Sequence, residues 1–587
     1  MKALEHRLAP WLVLAIALAL GLASLQLGFY NDDYLLIAGV KGYWPHGPPV
    51  WDLYRFSYGS EQKNLEAIAD SGLMWWASPA FKLHLVRPLA SLGFALDLKL
   101  FGDGSSLGWH LHSIVWYLVL VHLVGSVLRA SMPRAIATAN LAMLVYAVST
   151  AHFFAYGWVA SRHLAIAATL GMFGLLALVR GHRRGPWIFA GCLAASLGGG
   201  EAGIGIAIFG IVYVLSRPKN GSSEIARKLA PTAVVLCVWL GCYVAIGGGA
   251  AHSDGYVDPT SAPGRFAMKA ATMIPVMVAN ATFGVPAEMA TIMPPAPLAV
   301  LGLVAAAFVF GMWRSARPAM LDDERSALPW LVVAGLMAIA PSLGGFPGAR
   351  ILLVPNLGFA ALIAVLVRRG FAKIEGGSTV GRIARAGGAG LLCFVHVIAA
   401  PLIDVANASF TAKTARRLEE LSATVDVSDA PPTGVRFFVL GASDPTVTMY
   451  PPTVQLATSA KHRERARCWS IVSGAKTSHE MRRVAPNVIV VRPTAGRMLD
   501  GPFEALWRSR SEPFRPGDES RQCNVVYRVN AVDGGLPSEI QLTFDVPLED
   551  PSVRFLRWNG ERFERLVVPP VGDTATIAWS AGPLGMF

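Results

Sequence analysis

The sequence predicts a polytopic α-helical membrane protein of about eleven transmembrane helices, followed by a C-terminal extracytoplasmic domain that is α/β or mainly β. Three observations predict it. Of 587 residues, 53% are hydrophobic and only 15% charged, whereas soluble proteins carry about 25% charged residues. Apolar runs broken by short basic or Gly/Pro-rich links repeat from Leu8 to about Val405. From about residue 410 the composition becomes that of an ordinary soluble chain, which divides residues 1–408 from residues 409–587.

A helix needs about 20 apolar residues to cross the hydrocarbon core. Candidate spans lie at roughly 9–28, 107–128, 135–151, 161–179, 187–199, 202–216, 231–249, 296–313, 328–344, 351–367 and 387–405. The first follows a basic start (Lys2, Arg7), but it is long and lacks a small-x-small cleavage site, so it reads as an uncleaved helix rather than a signal peptide. The fifth and sixth are short and joined by the loop GGGEAG at 198–203.

With a cytoplasmic N-terminus, the inside segments carry Arg129 and Arg134, then Arg180, Arg183 and Arg184, then Arg217, Lys219, Arg227 and Lys228. Arg314, Arg317 and Arg325 follow, and last Arg368, Arg369, Lys373, Arg382 and Arg385. This is the positive-inside bias, and it holds only if 187–216 is a hairpin. An odd number of spans places the C-terminal domain outside, in the periplasm of an inner-membrane protein. The formal charge of +12 sits at the ends of apolar runs and forms no aromatic-interleaved stripe, so it orients the chain in a bilayer and implies no nucleic-acid partner.

Cys192, Cys237, Cys242 and Cys393 lie in apolar spans and read as small hydrophobes. Cys468 and Cys523 are the only cysteines of the external domain, and either a disulfide between them or two free thiols is open. Strand-like runs there include 435–440, 487–491, 523–529, 540–544 and 553–558, with Asn559-Gly560 as a hairpin turn before 563–568.

The run FYNDDYLL (29–36) sets two adjacent carboxylates, Asp32 and Asp33, directly after the first span. Ionised groups at the membrane boundary are costly unless water, cations or partners meet them. The plain alternative is a turn in which Asn31 or Asp32 caps the next helix.

The pair and its NDDY context resemble the first external loop of the GT-C superfamily, polytopic glycosyltransferases that use polyprenyl-phosphate sugars, and most closely the protein O-mannosyltransferase-like members. HLVRPLASLGFALDLKLFG (84–102) is similar to the family's R-P-L segment before the second helix. GARILLVPNLGF (348–359) resembles its R-x-L-x-x-P-x-x-G segment, and Ser161-Arg162-His163 lies at the outer end of the fourth span. Where relatives have Lys-Glu in the hairpin loop, this chain has Gly200-Glu201.

The resemblance implies transfer of a hexose or pentose from a polyprenyl-phosphate donor to an acceptor hydroxyl on a glycan, lipid or protein, with inversion. Such chemistry needs a carboxylate base for the acceptor hydroxyl, for which Asp33 and Asp32 are the candidates. It also needs cations for the leaving phosphate. Arg350, Arg162 and Arg87 have that placement, and guanidinium suits phosphate as a bidentate fork. Glu201, His163 and Tyr34 are candidates for orienting the acceptor. The acid pair could also hold Mg²⁺ or Mn²⁺, and no His or Cys cluster has zinc-ligand spacing. His84, His110, His112 and His152 read as satisfied interfacial histidines, Asp97 and Asp103 as caps, and Trp75 and Trp76 as markers of an interface helix rather than a sugar platform. The competing reading is a transporter or flippase of lipid-linked sugars, which would place its ionisable groups near the bilayer midplane.

Overall fold

The structure, a computed structural model, describes residues 2–44, 47–217, 221–374, 378–442 and 444–583. Lys219, counted above among the inside basic residues, lies outside them. Contacts divide the chain into two compact units. The first comprises residues 1–28, 85–248 and 262–412; the second comprises 29–84, 249–261 and 413–587. The second unit therefore includes two segments that interrupt the helical part of the sequence.

The first unit is a helical bundle. Among the described residues, eight helices are long and apolar enough to cross a membrane, or nine if the bent pair Ile136–Ala147 and Thr150–Gly157 is one span. Three further expected spans are helices of only 14 or 15 residues: Gly185–Gly199, Ala202–Leu215 and Asn356–Gly370. That is fewer than the roughly 20 a full crossing uses. The first two meet at Gly200, so the 187–216 stretch is broken where the loop was expected. The last expected span is part of a helical run, Thr379–Ala423, of 45 residues, interrupted by a π-helical turn at Phe394–Ala399.

One helix was not expected. Pro263–Phe283 is 21 residues long and passes the same length and hydropathy criteria. Arg265, Lys269 and the internal Pro275 break its apolar run in the sequence. Its direction is informative. A Cβ built on Gly302 would lie 1.8 Å from the Pro275 carbonyl oxygen, and the Phe283 and Phe308 rings are 5.6 Å apart. Both numbers rise together, so Pro263–Phe283 runs parallel to the next helix, Pro295–Ala316. Two consecutive helices can be parallel only if their connector, 284–294, returns the whole distance.

The bundle has a basic end. Glu324, fully buried, accepts two hydrogen bonds from Arg369 (2.7 and 2.8 Å) and one from Thr138 (2.6 Å). Asp323 accepts the Arg134 N–H, and the Asn140 amide donates to the Leu4 carbonyl at 2.7 Å. These bonds collect the start of the chain, the ends of several helices and the arginines assigned to the inside.

The second unit is sheet-rich. A four-stranded sheet has the order Phe563–Arg565, Val553–Trp558, Val435–Leu440, Ala466–Ile471, with its central pairs parallel. A six-stranded antiparallel sheet has the order Thr574–Ile577, His479–Ala485, Val488–Pro493, Leu536–Phe544, Val525–Asp533, Glu519–Gln522. The hairpin after Trp558 pairs Trp558 with Phe563, so Asn559-Gly560 belong to a four-residue loop. Of the two alternatives for Cys468 and Cys523, the structure has the disulfide. Trp75 and Trp76 do not mark an interface: they are 2% and 1% exposed. Trp75 stacks on Tyr527 at 4.9 Å and donates its indole N–H to the Ile471 carbonyl. These two tryptophans are core residues that lock segment 29–84 to the sheets.

Candidate active site

The candidate residues fall in both units, and each group is built from its own neighbours. In the bundle, Pro88 opens the helix Pro88–Phe101, and the residue before a proline is kept out of the helical region. Arg87 therefore sits at φ −136°, ψ 58°, and its side chain makes no capping bond to the helix it precedes. Its Nε donates to Glu201 Oε2 at 2.9 Å and its Nη1 to His163 Nε2 at 3.0 Å. His163 accepts on Nε2, so its proton is on Nδ1 when the ring is neutral. Glu201 lies just after Gly200, whose φ of +154° strains any other residue. A Cβ at Gly200 would also lie 3.3 Å from His163 Nδ1 and 3.6 Å from Arg87 Nε. The lysine that the resemblance places here is thus replaced by a close approach, and Arg87 supplies the cation beside Glu201.

Arg350 lies in the 3₁₀ segment Ala349–Leu353, with its guanidinium over the Trp158 ring at 5.0 Å. The Ala349 N–H donates to Glu288 at 2.7 Å, which fixes this segment to the returning connector. One of the three candidate arginines, Arg87, and two of the three candidate orienting residues, Glu201 and His163, are therefore one hydrogen-bonded cluster.

Arg162 is elsewhere. It is 1% exposed, forms an ion pair with the fully buried Asp97, and donates to the Trp109 carbonyl at 3.2 Å. Asp97 also accepts from His112 Nδ1 at 2.6 Å, and His112 Nε2 accepts from the Trp116 indole at 2.9 Å. Asp97 is thus the counter-ion of Arg162 rather than a cap. His152 contacts Tyr117 and Asn356, His110 the Gly28 carbonyl, and in the other unit His84 pairs with Asp52 at 2.8 Å.

The acid pair belongs to the second unit. Asp32 and Asp33 begin the helix Asp32–Val40. Asn31 before it has φ 48° and ψ −113°, a conformation that asparagine tolerates better than most residues and that is still strained. Asn31 occupies the cap position without a side-chain capping bond; Asp33 provides the local bond instead, accepting the Tyr30 N–H at 2.9 Å. Asp33 is fully buried, whereas Asp32 is partly exposed. Asp32 accepts from the Tyr450 hydroxyl at 3.0 Å. The residue after the pair, Tyr34, donates its hydroxyl to Glu419.

Burial pushes the Tyr30 hydroxyl up to about 12, and the charges of Asp32, Asp444 and Asp33 act in the same direction. Burial, then the carboxylates they touch, raise Tyr34 and Tyr450 further still. These tyrosines are therefore donors, not phenolates, at any working pH.

Adjacent residues on a helix do not face each other, and Asp32 and Asp33 turn to different partners. Among the described residues no group of three or more His, Cys, Asp or Glu side chains is arranged to hold a metal ion.

No protein-family model matches the chain, and no curated protein matches it by sequence. Among solved structures it is similar to the Archaeoglobus fulgidus oligosaccharyltransferase tethered to an acceptor peptide, with 12% identity and a TM-score of 0.40. That match covers 79% of this chain and 64% of the archaeal one, less than two thirds of its length. ArnT from Cupriavidus metallidurans bound to undecaprenyl phosphate is similar at 14% identity and a TM-score of 0.37, over 78% of this chain and 89% of that one. The mycobacterial arabinofuranosyltransferase AftD is similar at 13% identity and a TM-score of 0.32, over 93% and 40%. At TM-scores of 0.40 and below, none of these likenesses carries a functional conclusion.

Proposed function

We propose that this chain is a GT-C-type glycosyltransferase of the membrane, moving a sugar from a polyprenyl-phosphate donor to an acceptor hydroxyl on the extracytoplasmic side. The observation that carries the reading is the hydrogen-bonded Arg87–His163–Glu201 cluster, with Arg350 over the Trp158 ring in the same helical unit. Two guanidinium groups in a half-buried setting suit a phosphate that gains charge as it leaves. His163 and Glu201 hold Arg87 in one orientation. Arg162, committed to Asp97, supports the neighbouring helices rather than the donor.

Asp32 is the base in this reading. Asp33 is buried and used on its own turn, while Asp32 is the more accessible of the two. As the acceptor oxygen bonds to the anomeric carbon, its proton passes to the Asp32 carboxylate. The bond from that carbon to the donor phosphate breaks, and polyprenyl phosphate departs with inversion at carbon. The proton then returns to solvent. No step needs a metal, so washing with EDTA leaves activity unchanged; restoration by Mn²⁺ after its loss would return Asp32 to a metal-binding role.

The test is release of polyprenyl phosphate by purified protein. Asp32→Asn lowers kcat by at least 100-fold, on the scale of lost base catalysis. Arg350→Ala raises the donor KM by about 10- to 100-fold, the scale of one charge-assisted hydrogen bond. Full activity in Asp32→Asn refutes the assignment. The π-helical turn at Phe394–Ala399 is the feature that favours a flippase of lipid-linked sugars, a reading that donor movement across liposomes without transfer would support.

A further inference from the structure

We propose that Tyr450, from the C-terminal part of the chain, is a positioning residue that sets the orientation of the Asp32 carboxylate. The inference rests on the reading in which Asp32 accepts the acceptor's proton.

Several observations converge on it. Asp32 is the first residue of its helix, where no preceding turn restrains the side chain. Its neighbour Asp33 is held by the Tyr30 N–H; the hydroxyl 3.0 Å from Asp32 Oδ1 belongs to Tyr450, 418 positions along the chain. Tyr450 opens the helix Tyr450–Thr458, which packs on Asp32–Val40. Burial and the adjacent carboxylate keep this phenol protonated. It therefore donates in every state of the cycle in which Asp32 is ionised. A carboxylate fixed by a donor on one oxygen presents its other lone pairs in a defined direction, and misplacement of a reacting group by about 1 Å costs roughly 100-fold.

A second tether on the same helix supports this. Tyr34 donates to Glu419, which like Tyr450 lies beyond residue 412. The helix bearing the acid pair is thus held at two points by residues of the C-terminal part, and Asn31 absorbs the strained backbone that feeds it. The C-terminal part therefore belongs to the catalytic apparatus in addition to any role in shaping the acceptor site.

The experiment compares wild-type chain, Tyr450→Phe and Asp32→Asn in detergent with a panel of polyprenyl-phosphate hexoses and pentoses, reading polyprenyl phosphate release. Tyr450→Phe removes one oxygen from a side chain that otherwise keeps its packing. Its kcat falls about 10- to 100-fold, its donor KM stays within about twofold, and its melting temperature and Cys468–Cys523 disulfide are retained. Wild-type kcat in Tyr450→Phe alongside an inactive Asp32→Asn overturns the inference and leaves the base assignment standing. Full activity in Asp32→Asn, or no turnover of any donor by the wild-type chain, removes the base assignment and the inference together. A loss of activity that comes with a lower melting temperature and a raised donor KM shows a purely structural tyrosine, and also overturns it.

Discussion

Replacing Glu504 by glutamine should change how the stability of the sheet-rich unit depends on pH. The Glu504 side chain is 5% exposed and caged by two glycines. A Cβ built on Gly474 would lie 1.8 Å from Oε1, and one on Gly501 2.0 Å from Oε2. Burial pushes the carboxyl from an ordinary value near 4.5 up to about 7, against the pull of the Glu504 and Gly501 N–H groups and Lys476. An acid with a raised folded-state pKa holds its proton more tightly when folded. Below about pH 4.5 both states are protonated and the group contributes nothing. Between there and about 7 the unfolded state ionises while the folded state does not, and stability falls as pH rises; above 7 the penalty is constant. At about 1.4 kcal/mol per pH unit, the full penalty is about 3 kcal/mol. Glu504→Gln lacks this dependence. Denaturant unfolding of the purified chain, followed by tryptophan fluorescence at pH 4 and pH 8, gives the stability difference between variant and wild type. That difference should move in favour of the variant by about 3 kcal/mol from pH 4 to pH 8. The same difference at both pH values would refute a buried, neutral Glu504.

Three further outcomes follow from the packing. Cys468→Ser with Cys523→Ser opens a loop with a sequence separation of 55 residues, for which chain entropy gives about 4 kcal/mol; denaturation under reducing and non-reducing conditions should converge in the variant and differ in the wild type. Asp97→Asn leaves the Arg162 charge buried without its counter-ion and should cost about 3–5 kcal/mol, whereas combining Asp97→Asn with Arg162→Met should recover most of it; melting temperatures of the wild type, the single variant and the double variant decide this. Gly302→Leu forces a side chain into the Pro275 carbonyl, so cysteine crosslinking between the two helices beside that contact should be lost; crosslinking retained at the wild-type level would refute the close approach.

Much of the bundle was legible because bilayer thickness imposes a length on apolar runs and basic residues mark their ends. The break at Gly200 was legible for the same reason: only a hairpin kept the arginines on one side. The helix Pro263–Phe283 was not, because Arg265, Lys269 and Pro275 interrupt its apolar run, and its packing on the next helix depends on a contact at Gly302 that no local pattern encodes. Trp75 and Trp76 are clustered aromatics that resemble an interface belt; only long-range contacts, the stacking on Tyr527 and the bond to the Ile471 carbonyl, make them core. At the site, single positions were readable and pairings were not. Asp32 and Asp33 announce themselves by adjacency, and Arg350 by standing against the inside bias. The partner of Arg162 proved to be Asp97, and the partner of Asp32 a tyrosine hundreds of residues away, because side-chain pairing across a fold leaves no spacing in the sequence. That Glu201, a carboxylate in a glycine-rich turn, needs a partner was within reach, but the expected cation was Arg162, whereas the structure has Arg87.

The most direct measurement reconstitutes the wild-type chain in proteoliposomes with a radiolabelled polyprenyl-phosphate sugar and follows two signals at once. One is the label covalently attached to a hydroxyl acceptor or to water, and the other is intact donor appearing in the opposite leaflet. The account predicts loss of intact donor, with one polyprenyl phosphate released per sugar transferred and no donor crossing the bilayer. Intact donor moving between leaflets with no polyprenyl phosphate released would contradict it.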